Sequence, residues 1–157
     1  MEGGVTVMNL DKLEVWVRAR DLAVMIYREV VPHLPADEKW NLTQQLKRAA
    51  RSIPANIAEG LGRWHIMYSV RFCCRAGGSL TELQSHMALA HELGFLSAEI
   101  HDRMTVHAES IGKQLNHYIA HLKRYEPGER EMPAGYTIRE EFEPYLFNNP
   151  DEDSANH

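Results

Sequence analysis

The sequence predicts an all-α fold: an antiparallel up-and-down four-helix bundle followed by an extended acidic C-terminal tail. Apolar residues recur at three- and four-residue steps along four long segments, which is the spacing of one helix face. No segment alternates convincingly between apolar and polar residues, and the Asn-Gly and Asp-Gly pairs typical of tight hairpins are absent. The connections between the segments are short, so each helix is expected to return beside the previous one.

The first helix is predicted between residues 13 and 30. Asp11 is expected to cap its start, and Pro32 and Pro35 are expected to end it. The apolar positions of this helix are Leu13, Trp16, Ala19, Leu22, Ala23, Ile26, Tyr27 and Val30.

The second predicted helix contains a proline. Pro54 removes one backbone donor and its ring crowds the Ala50 carbonyl, so a kink is expected, with Ser52 partly satisfying the backbone. Gly60 and Gly62 are expected to close the helix. The apolar positions of this helix are Leu42, Leu46, Ala49, Ala50, Ile53 and Ile57.

The third predicted helix, residues 66–93, carries two consecutive glycines at 77–78. A bend or the close approach of another backbone is expected there, because each glycine costs about 1 kcal/mol in a helix relative to alanine. Gly94 is expected to end this helix, and Ser97 is expected to cap the fourth, residues 100–125.

Charge is unevenly distributed along the chain, although the total is only −5. Residues 1–125 hold 15 Lys and Arg against 13 Asp and Glu, whereas residues 126–157 hold two against nine. Within residues 39–75 the balance reaches +6, with Glu59 as the sole acid. Such a stretch suggests a polyanionic partner, and a solvated helix face is the alternative. Its basic residues are Lys39, Lys47, Arg48, Arg51, Arg63, Arg71 and Arg75.

Composition divides the chain into a four-helix bundle, residues 1–126, and a C-terminal extension, residues 127–157. Acidic residues and prolines in the extension favour an extended or mobile segment. It also contains apolar side chains, so we expect it to dock on its own bundle, on a neighbouring subunit or on another partner. These apolar residues are Tyr136, Ile138, Phe142, Tyr145, Leu146 and Phe147.

Signatures of catalysis are weak, so the chain is predicted not to be an enzyme, and no cofactor is expected. Glycine-rich phosphate loops and the serine-nucleophile motif are absent. His117 and His121 have the spacing of a metal-binding pair but supply only two ligands, so exposed or interfacial roles are favoured. Arginines beside Cys73 and Cys74 would favour thiolate, yet no base accompanies them, and packing is the favoured role of at least one.

The sequence also favours a soluble cytoplasmic protein that does not enter a membrane. It contains no apolar run of the length that a membrane span requires, and its start lacks the pattern of a secretory signal. Its two cysteines are adjacent and make no disulfide framework.

The most specific pattern in the chain lies between residues 42 and 60 and includes Ser-Ile-Pro-Ala-Asn-Ile-Ala-Glu-Gly. Together with Leu-Glu-Val-Trp at residues 13–16, it resembles the four-helix-bundle family encoded in intervening sequences of bacterial 23S ribosomal RNA genes. The resemblance covers about residues 10–125 and excludes the tail. The pattern continues through Arg63, Phe72, Ala76, Gly78, Ser79 and Glu82.

This resemblance implies a bundle that assembles into a ring, commonly a homopentamer. It also implies a relationship to the accessory variability determinant of diversity-generating retroelements, which forms a basic pentameric barrel and works with a reverse transcriptase and its template RNA. We therefore expect a non-enzymatic adaptor that binds RNA or an RNA–DNA intermediate, with a reverse transcriptase as a further partner. The alternative is a structural oligomer of the same family that binds only protein.

Two groups of candidate functional residues follow. In a ring, a basic face of the second helix would be repeated as a band of positive charge that binds phosphates. Pairing of Arg48 with Glu59 or Glu82 is the alternative. The candidate nucleic-acid ligands are Lys47, Arg48, Arg51, Arg63, Arg71 and Arg75, with Trp64 and His65 as exposed neighbours. The candidate core or subunit contacts are Trp16, Ile53 and Ile57, and also Asn56 and Glu59 through buried hydrogen bonds between helices.

Overall fold

The computed structural model describes residues 9–61 and 66–124, and every regular element within these ranges is helical. The prediction of an all-α fold is therefore confirmed. The predicted C-terminal extension lies outside the described residues, as do Gly62, Arg63, Trp64 and His65. The four long helices are α1 (Glu14–Met25), α2 (Leu42–Leu61), α3 (Ile66–Glu92) and α4 (Ala98–Arg124).

The helices form an antiparallel up-and-down bundle. Each of α1 and α3 packs against both α2 and α4, and the most extensive contact joins α2 to α3. The direction of the chain follows from two hydrogen bonds between α4 and the α1 region. Arg18, near the start of α1, donates to Ser110 in the middle of α4, whereas Arg103, near the start of α4, donates to Glu29 just after α1.

The core lies along the bundle axis, where one face of each helix meets the others. Every predicted apolar position of α2 is buried, because their three- and four-residue spacing keeps them on one side of the helix. Burial of one such side chain contributes about 1.5–3 kcal/mol. No helix among the described residues has an apolar stretch long enough to cross a bilayer. The largest fully buried side chains are Leu22, Ile26, Val30, Leu46, Ile53, Ile57, Leu80, Leu83, Met87, Met104, Ile111 and Leu115.

The start of α1 differs from the prediction. Asp11 does not cap the helix but lies in a preceding 3-10 turn, where its backbone N–H donates to the Asn9 side chain at 3.2 Å. The residue at the cap position of α1 is Leu13, whose side chain makes no capping hydrogen bond. The Asp11 carboxylate instead forms an ion pair with the Arg20 guanidinium at 3.1 Å.

α2 continues without a break through Pro54 and Gly60 to Leu61. The Asn56 side chain donates to the Ser52 carbonyl at 2.8 Å and to the Ser52 hydroxyl at 2.9 Å. The two hydroxyls of Ser52 and Ser79 are also 2.8 Å apart, which connects α2 to α3. Gly60 is itself helical and buried, one residue before the last described residue of α2, and Gly62, predicted with it to close the helix, lies outside the described residues.

A close approach of two helices, expected from the sequence at residues 77–78, is found at Gly60, where α2 meets the first turns of α3. A Cβ atom added there would lie 3.1 Å from the Ser69 carbonyl oxygen and 3.2 Å from the Phe72 Cβ. The Ser69 hydroxyl also donates to the Gly60 carbonyl at 2.6 Å. Glycine at this position therefore lets α2 and α3 pack more closely than a larger residue would allow. α3 itself runs through the glycines at 77–78.

The connection between α3 and α4 follows the sequence prediction. Gly94 has a φ of 77°, a left-handed conformation that glycine adopts without steric cost, and it ends α3. The Ser97 hydroxyl accepts the Ile100 N–H at 3.3 Å and caps α4. Both predictions are confirmed.

Candidate nucleic-acid interface

The predicted basic residues do not form one cluster but divide between different sides of the bundle. Lys47 and Arg51 lie on the side of α2 that faces α1, where Lys47 meets Tyr27 and Arg51 lines a groove. Arg48 points toward α3 and meets Glu82. The candidate interface therefore centres on α1 and α2.

A shallow groove of about 400 Å³ runs between α1 and α2. Its apolar surface includes Val24 and Tyr27, which are 39% and 37% exposed although each is large and hydrophobic. Arginines stand on both sides of these residues. We call this the α1–α2 groove, and it is lined by Arg20, Ala23, Val24, Tyr27, Arg28, Arg51 and Pro54.

Two lysines on or just before α2 lie over aromatic rings. The Lys47 ammonium is 5.3 Å from the centre of the Tyr27 ring, and the Lys39 ammonium is 4.9 Å from the centre of the Trp40 ring. Trp40 is 72% exposed, the highest value among the large hydrophobic residues described. Exposed aromatic rings next to cations are the combination with which proteins bind single-stranded nucleic acids, because bases stack while phosphates meet the charges.

Positive charge at the groove is only partly neutralised. Arg20 pairs with Asp11 and Asp21. Within residues 9–61 and 66–124, by contrast, no carboxylate lies within ion-pair distance of Arg28, Lys47 or Arg51. These three cations are available to an anionic partner.

Arg48 follows the alternative that the sequence left open. Its guanidinium is 3.9 Å from Glu82 on α3, and the His86 ring lies 3.4 Å from the same carboxylate oxygen. The Arg48 side chain is 67% exposed and the Glu82 side chain 38%, so water screens the pair and it adds at most about 1 kcal/mol to stability. Its effect is to direct Arg48 away from the α1–α2 groove.

The remaining predicted basic residues lie on α3. Arg75 is exposed, with its guanidinium 5.1 Å from the centre of the Phe72 ring. Arg71 is half-buried one turn earlier. Their place on α3 separates them from Lys47 and Arg51 on the α1-facing side of α2.

The residues predicted as core or subunit contacts have mixed positions. Ile53 and Ile57 are fully buried in the core, whereas Trp16 is half-buried at its edge with the Arg20 guanidinium 5.3 Å from its ring centre. Asn56 donates within α2 to Ser52, and it is the Ser52 hydroxyl that meets Ser79 on α3. Glu59 lies at an exposed position of α2.

The adjacent thiols are buried packing residues. The pKa of Cys73 is raised to about 12, mainly by burial and to a smaller extent by the neighbouring Cys74. Burial also raises the pKa of Cys74, with Lys123 opposing the shift. The expectation that flanking arginines favour thiolate is therefore wrong, because removal from water outweighs their effect.

The predicted histidine pair lies on the exposed side of α4, where His117 and His121 both face solvent. Among the described residues, no group of three or more His, Cys, Asp and Glu side chains is arranged to hold a metal ion. His117 lines a second shallow depression, of about 460 Å³, beside the start of α1.

Sequence reasoning missed the contribution of α1 to the basic surface. Arg20, Val24 and Arg28 follow one another at four-residue steps, each of which turns the helix by only about 40° from the previous position, so the three line one flank of it. That repeat was visible in the sequence. The apolar spacing predicts a buried Tyr27, yet its ring stays partly exposed beneath Lys47.

These features define a class of protein: a four-helix bundle with a basic, partly aromatic groove between its first two helices. The sequence pattern described as 23S rRNA-intervening sequence protein matches residues 11–117, about two thirds of the chain. The chain belongs to this family, as the motif in α2 indicated. No curated protein matches the chain.

Proposed function

We propose that the chain is a non-enzymatic helical adaptor that binds RNA through the α1–α2 groove. The observation that carries this proposal is the set of three cations around the exposed Tyr27 ring, Arg28, Lys47 and Arg51, that have no carboxylate partner among the described residues. The overall charge of −5 does not oppose it, because the acidic surplus belongs to residues 126–157.

The geometry favours two kinds of contact, with the RNA backbone and with the faces of stacked bases. It does not favour hydrogen bonds to base edges. Arginine and lysine bind phosphates as charge-assisted hydrogen-bond donors. The rings of Tyr27 and Trp40 can stack on unpaired bases, a contact worth about 1–3 kcal/mol for each base. We therefore expect single-stranded RNA, or the single-stranded part of an RNA–DNA intermediate, to bind with strong salt dependence and little sequence preference.

Assembly into a ring completes the proposal. A homo-oligomer, expected from the family resemblance to be a pentamer, would repeat the α1–α2 groove at regular intervals. A strand that contacts several grooves at once gains affinity through multivalency. A reverse transcriptase that uses the bound RNA is the further partner that this proposal includes.

The test uses the full chain and a fluorescein-labelled single-stranded RNA of about 20 nucleotides, long enough to contact several cations along its backbone. Fluorescence anisotropy measures Kd across a series of salt concentrations. The variant Arg28→Glu/Lys47→Glu/Arg51→Glu should lose binding at low salt. In the wild type, three phosphate contacts correspond to a slope of log Kd against log salt of about 2.

A matched control changes the net charge equally on another helix. Lys113, Lys123 and Arg124 are exposed on α4, and the variant Lys113→Glu/Lys123→Glu/Arg124→Glu should retain most of the affinity. Circular dichroism checks that both variants remain helical. Equal loss of binding in the two folded variants would remove the α1–α2 groove from the interface.

A second candidate function is an oligomer that binds only protein. The observation in its favour is the exposed apolar surface of Val24 and Tyr27 in the groove, which another helix could cover. Size-exclusion chromatography with absorbance at two wavelengths separates the candidates. Nucleic acid that co-purifies supports RNA binding, whereas a clean oligomer that ignores added RNA supports the structural role.

A further inference from the structure

The α1–α2 groove has a chemical complement elsewhere in the same chain. Its floor is apolar, formed by Ala23, Val24 and Pro54, and the cations at its sides have no carboxylate partner in the part of the chain that the structure describes. An occupant that satisfies both parts must carry apolar side chains and negative charges close together.

Residues 126–157 have that composition. They contain nine Asp and Glu against two Arg, and the segment 140–147 reads Glu-Glu-Phe-Glu-Pro-Tyr-Leu-Phe. Three carboxylates and four apolar side chains thus fall within eight consecutive residues. This segment matches a groove that has an apolar floor and cationic sides.

The segment can also reach the groove. α4 runs antiparallel to α1, and Lys113 to Tyr118 on α4 lie against the start of α1 at Leu13 to Val15, so α4 ends at the end of the bundle where α1 begins. α4 continues to Arg124, about 10 Å beyond this contact, so the rise from its end to Tyr27 is about 30 Å. The connecting residues 125–139 can span up to about 50 Å when extended.

Attachment to the bundle makes even a weak contact effective. A segment tethered by a short flexible linker acts at an effective concentration in the millimolar range. A groove with an intrinsic Kd of about 1 mM for this segment would therefore be occupied in about half of the molecules.

We propose that residues 140–147 dock in the α1–α2 groove of their own chain, with the aromatic side chains on its floor and the glutamates against Arg28, Lys47 and Arg51. Docking itself does not depend on RNA. Its consequence rests on the proposed function: the docked segment covers the cations that would bind phosphate and so competes with RNA.

Zero-length carbodiimide cross-linking of the full chain tests the docking without RNA. The reaction joins a lysine amine to a carboxylate in direct contact, and Lys47 is the lysine beside the groove. We expect Lys47 to be joined to Glu140, Glu141 or Glu143, as mass spectrometry of the digest would show. A mixture of ¹⁵N-labelled and unlabelled protein identifies joining within one chain by the absence of mixed-isotope products.

Two substitutions of exposed valines provide a matched pair. Val24→Glu places a negative charge on the floor of the groove, whereas Val106→Glu adds the same charge at a 65% exposed position on α4. The first should reduce the Lys47 cross-link about tenfold, equivalent to about 1.4 kcal/mol, and the second should leave it unchanged. Urea unfolding of both variants verifies that the bundle is intact.

Several results would overturn the docking. The first is cross-linking of the tail to Lys12, Lys113 and Lys123 as often as to Lys47. The second is a Lys47 cross-link found only in mixed-isotope products. The third is a cross-link from Lys47 to bundle carboxylates of a second copy. RNA anisotropy separates this inference from the proposed function. RNA binding without the Lys47 cross-link refutes only the docking, whereas the cross-link without RNA binding refutes only the RNA interface.

Discussion

Lys47 and Arg48 are consecutive residues whose side chains meet two different neighbours of α2. Lys47 lies over the Tyr27 ring of the α1 region, and Arg48 reaches Glu82 on α3. The helix turns by about 100° from one residue to the next, so two neighbouring charges belong to two different surfaces. Basic residues that are close together in this sequence therefore do not share one surface.

The first prediction compares these two residues directly. Lys47→Glu should weaken binding to single-stranded RNA and lower the salt slope by about 0.7, the contribution of one phosphate contact. Arg48→Glu should leave both quantities close to the wild-type values, because Arg48 lies outside the α1–α2 groove. Anisotropy titrations at four salt concentrations measure the difference. A larger loss for Arg48→Glu would place the interface on the α2–α3 side instead.

The second prediction concerns the polar contact between α2 and α3. Ser52 and Ser79 share a hydrogen bond of 2.8 Å, and Asn56 holds Ser52 through two more. A double-mutant cycle with Ser52→Ala and Ser79→Ala should give a coupling of about 0.5–1.5 kcal/mol in urea unfolding. Asn56→Ala should cost about 1 kcal/mol by itself. Additive effects of the two serine substitutions would show that this hydrogen bond does not hold α2 to α3.

The third prediction follows from the buried thiols. Burial raises the pKa of Cys73 from its ordinary 9.0 to about 12, so the fold favours the neutral thiol. The unfolded chain loses this proton near pH 9 while the folded chain retains it, so unfolding is favoured increasingly as pH rises from about 9 toward 12. Below pH 9 both states keep the proton, and the contribution of Cys73 to stability is constant.

Thermal unfolding between pH 7 and pH 11 measures this effect. Tm should fall above pH 9, and Cys73→Ala should reduce the fall, although the raised pKa values of Cys74 and Tyr118 leave part of it in place. A disulfide reagent at pH 8 should label neither thiol until the protein unfolds. Rapid labelling of the folded chain would contradict the burial of both cysteines.

The sequence was sufficient for the fold because the information that determines a helical bundle is local. Apolar spacing identified all four helices, and Gly94 and Ser97 marked the boundary between α3 and α4. The prediction for the start of α1 is wrong, because the chain first makes a 3-10 turn that the Asn9 side chain caps, and α1 then begins after Leu13 without a side-chain cap.

The candidate interface was predicted less completely because it depends on which helices lie side by side. Arg28 and Lys47 are distant in the sequence and belong to one surface only because α1 packs against α2. Arg48 was grouped with Lys47 by proximity in the sequence, whereas its partner Glu82 lies on α3. The apolar periodicity identifies the buried face of each helix separately. It does not indicate which neighbouring helix each polar side lies against.

The last prediction concerns Gly60, where two effects of Gly60→Ala oppose each other. Alanine favours the helix by about 1 kcal/mol relative to glycine. The added methyl would lie 3.1 Å from the Ser69 backbone oxygen, and α3 must shift to accommodate it, at a cost of about 1–3 kcal/mol. We expect the steric cost to win, with a net loss of about 1 kcal/mol in urea unfolding.

The Ser69→Ala variant separates the two contributions at this contact. Its loss should reflect the hydrogen bond to the Gly60 carbonyl, about 1 kcal/mol, without any steric conflict. In the double variant Gly60→Ala/Ser69→Ala the steric cost should persist, because the crowding atoms are the Ser69 carbonyl oxygen and the Phe72 Cβ, which both remain. A Gly60→Ala chain more stable than the wild type would show that α2 and α3 can separate there without loss of packing. The close approach at Gly60 would then not determine how these helices pack.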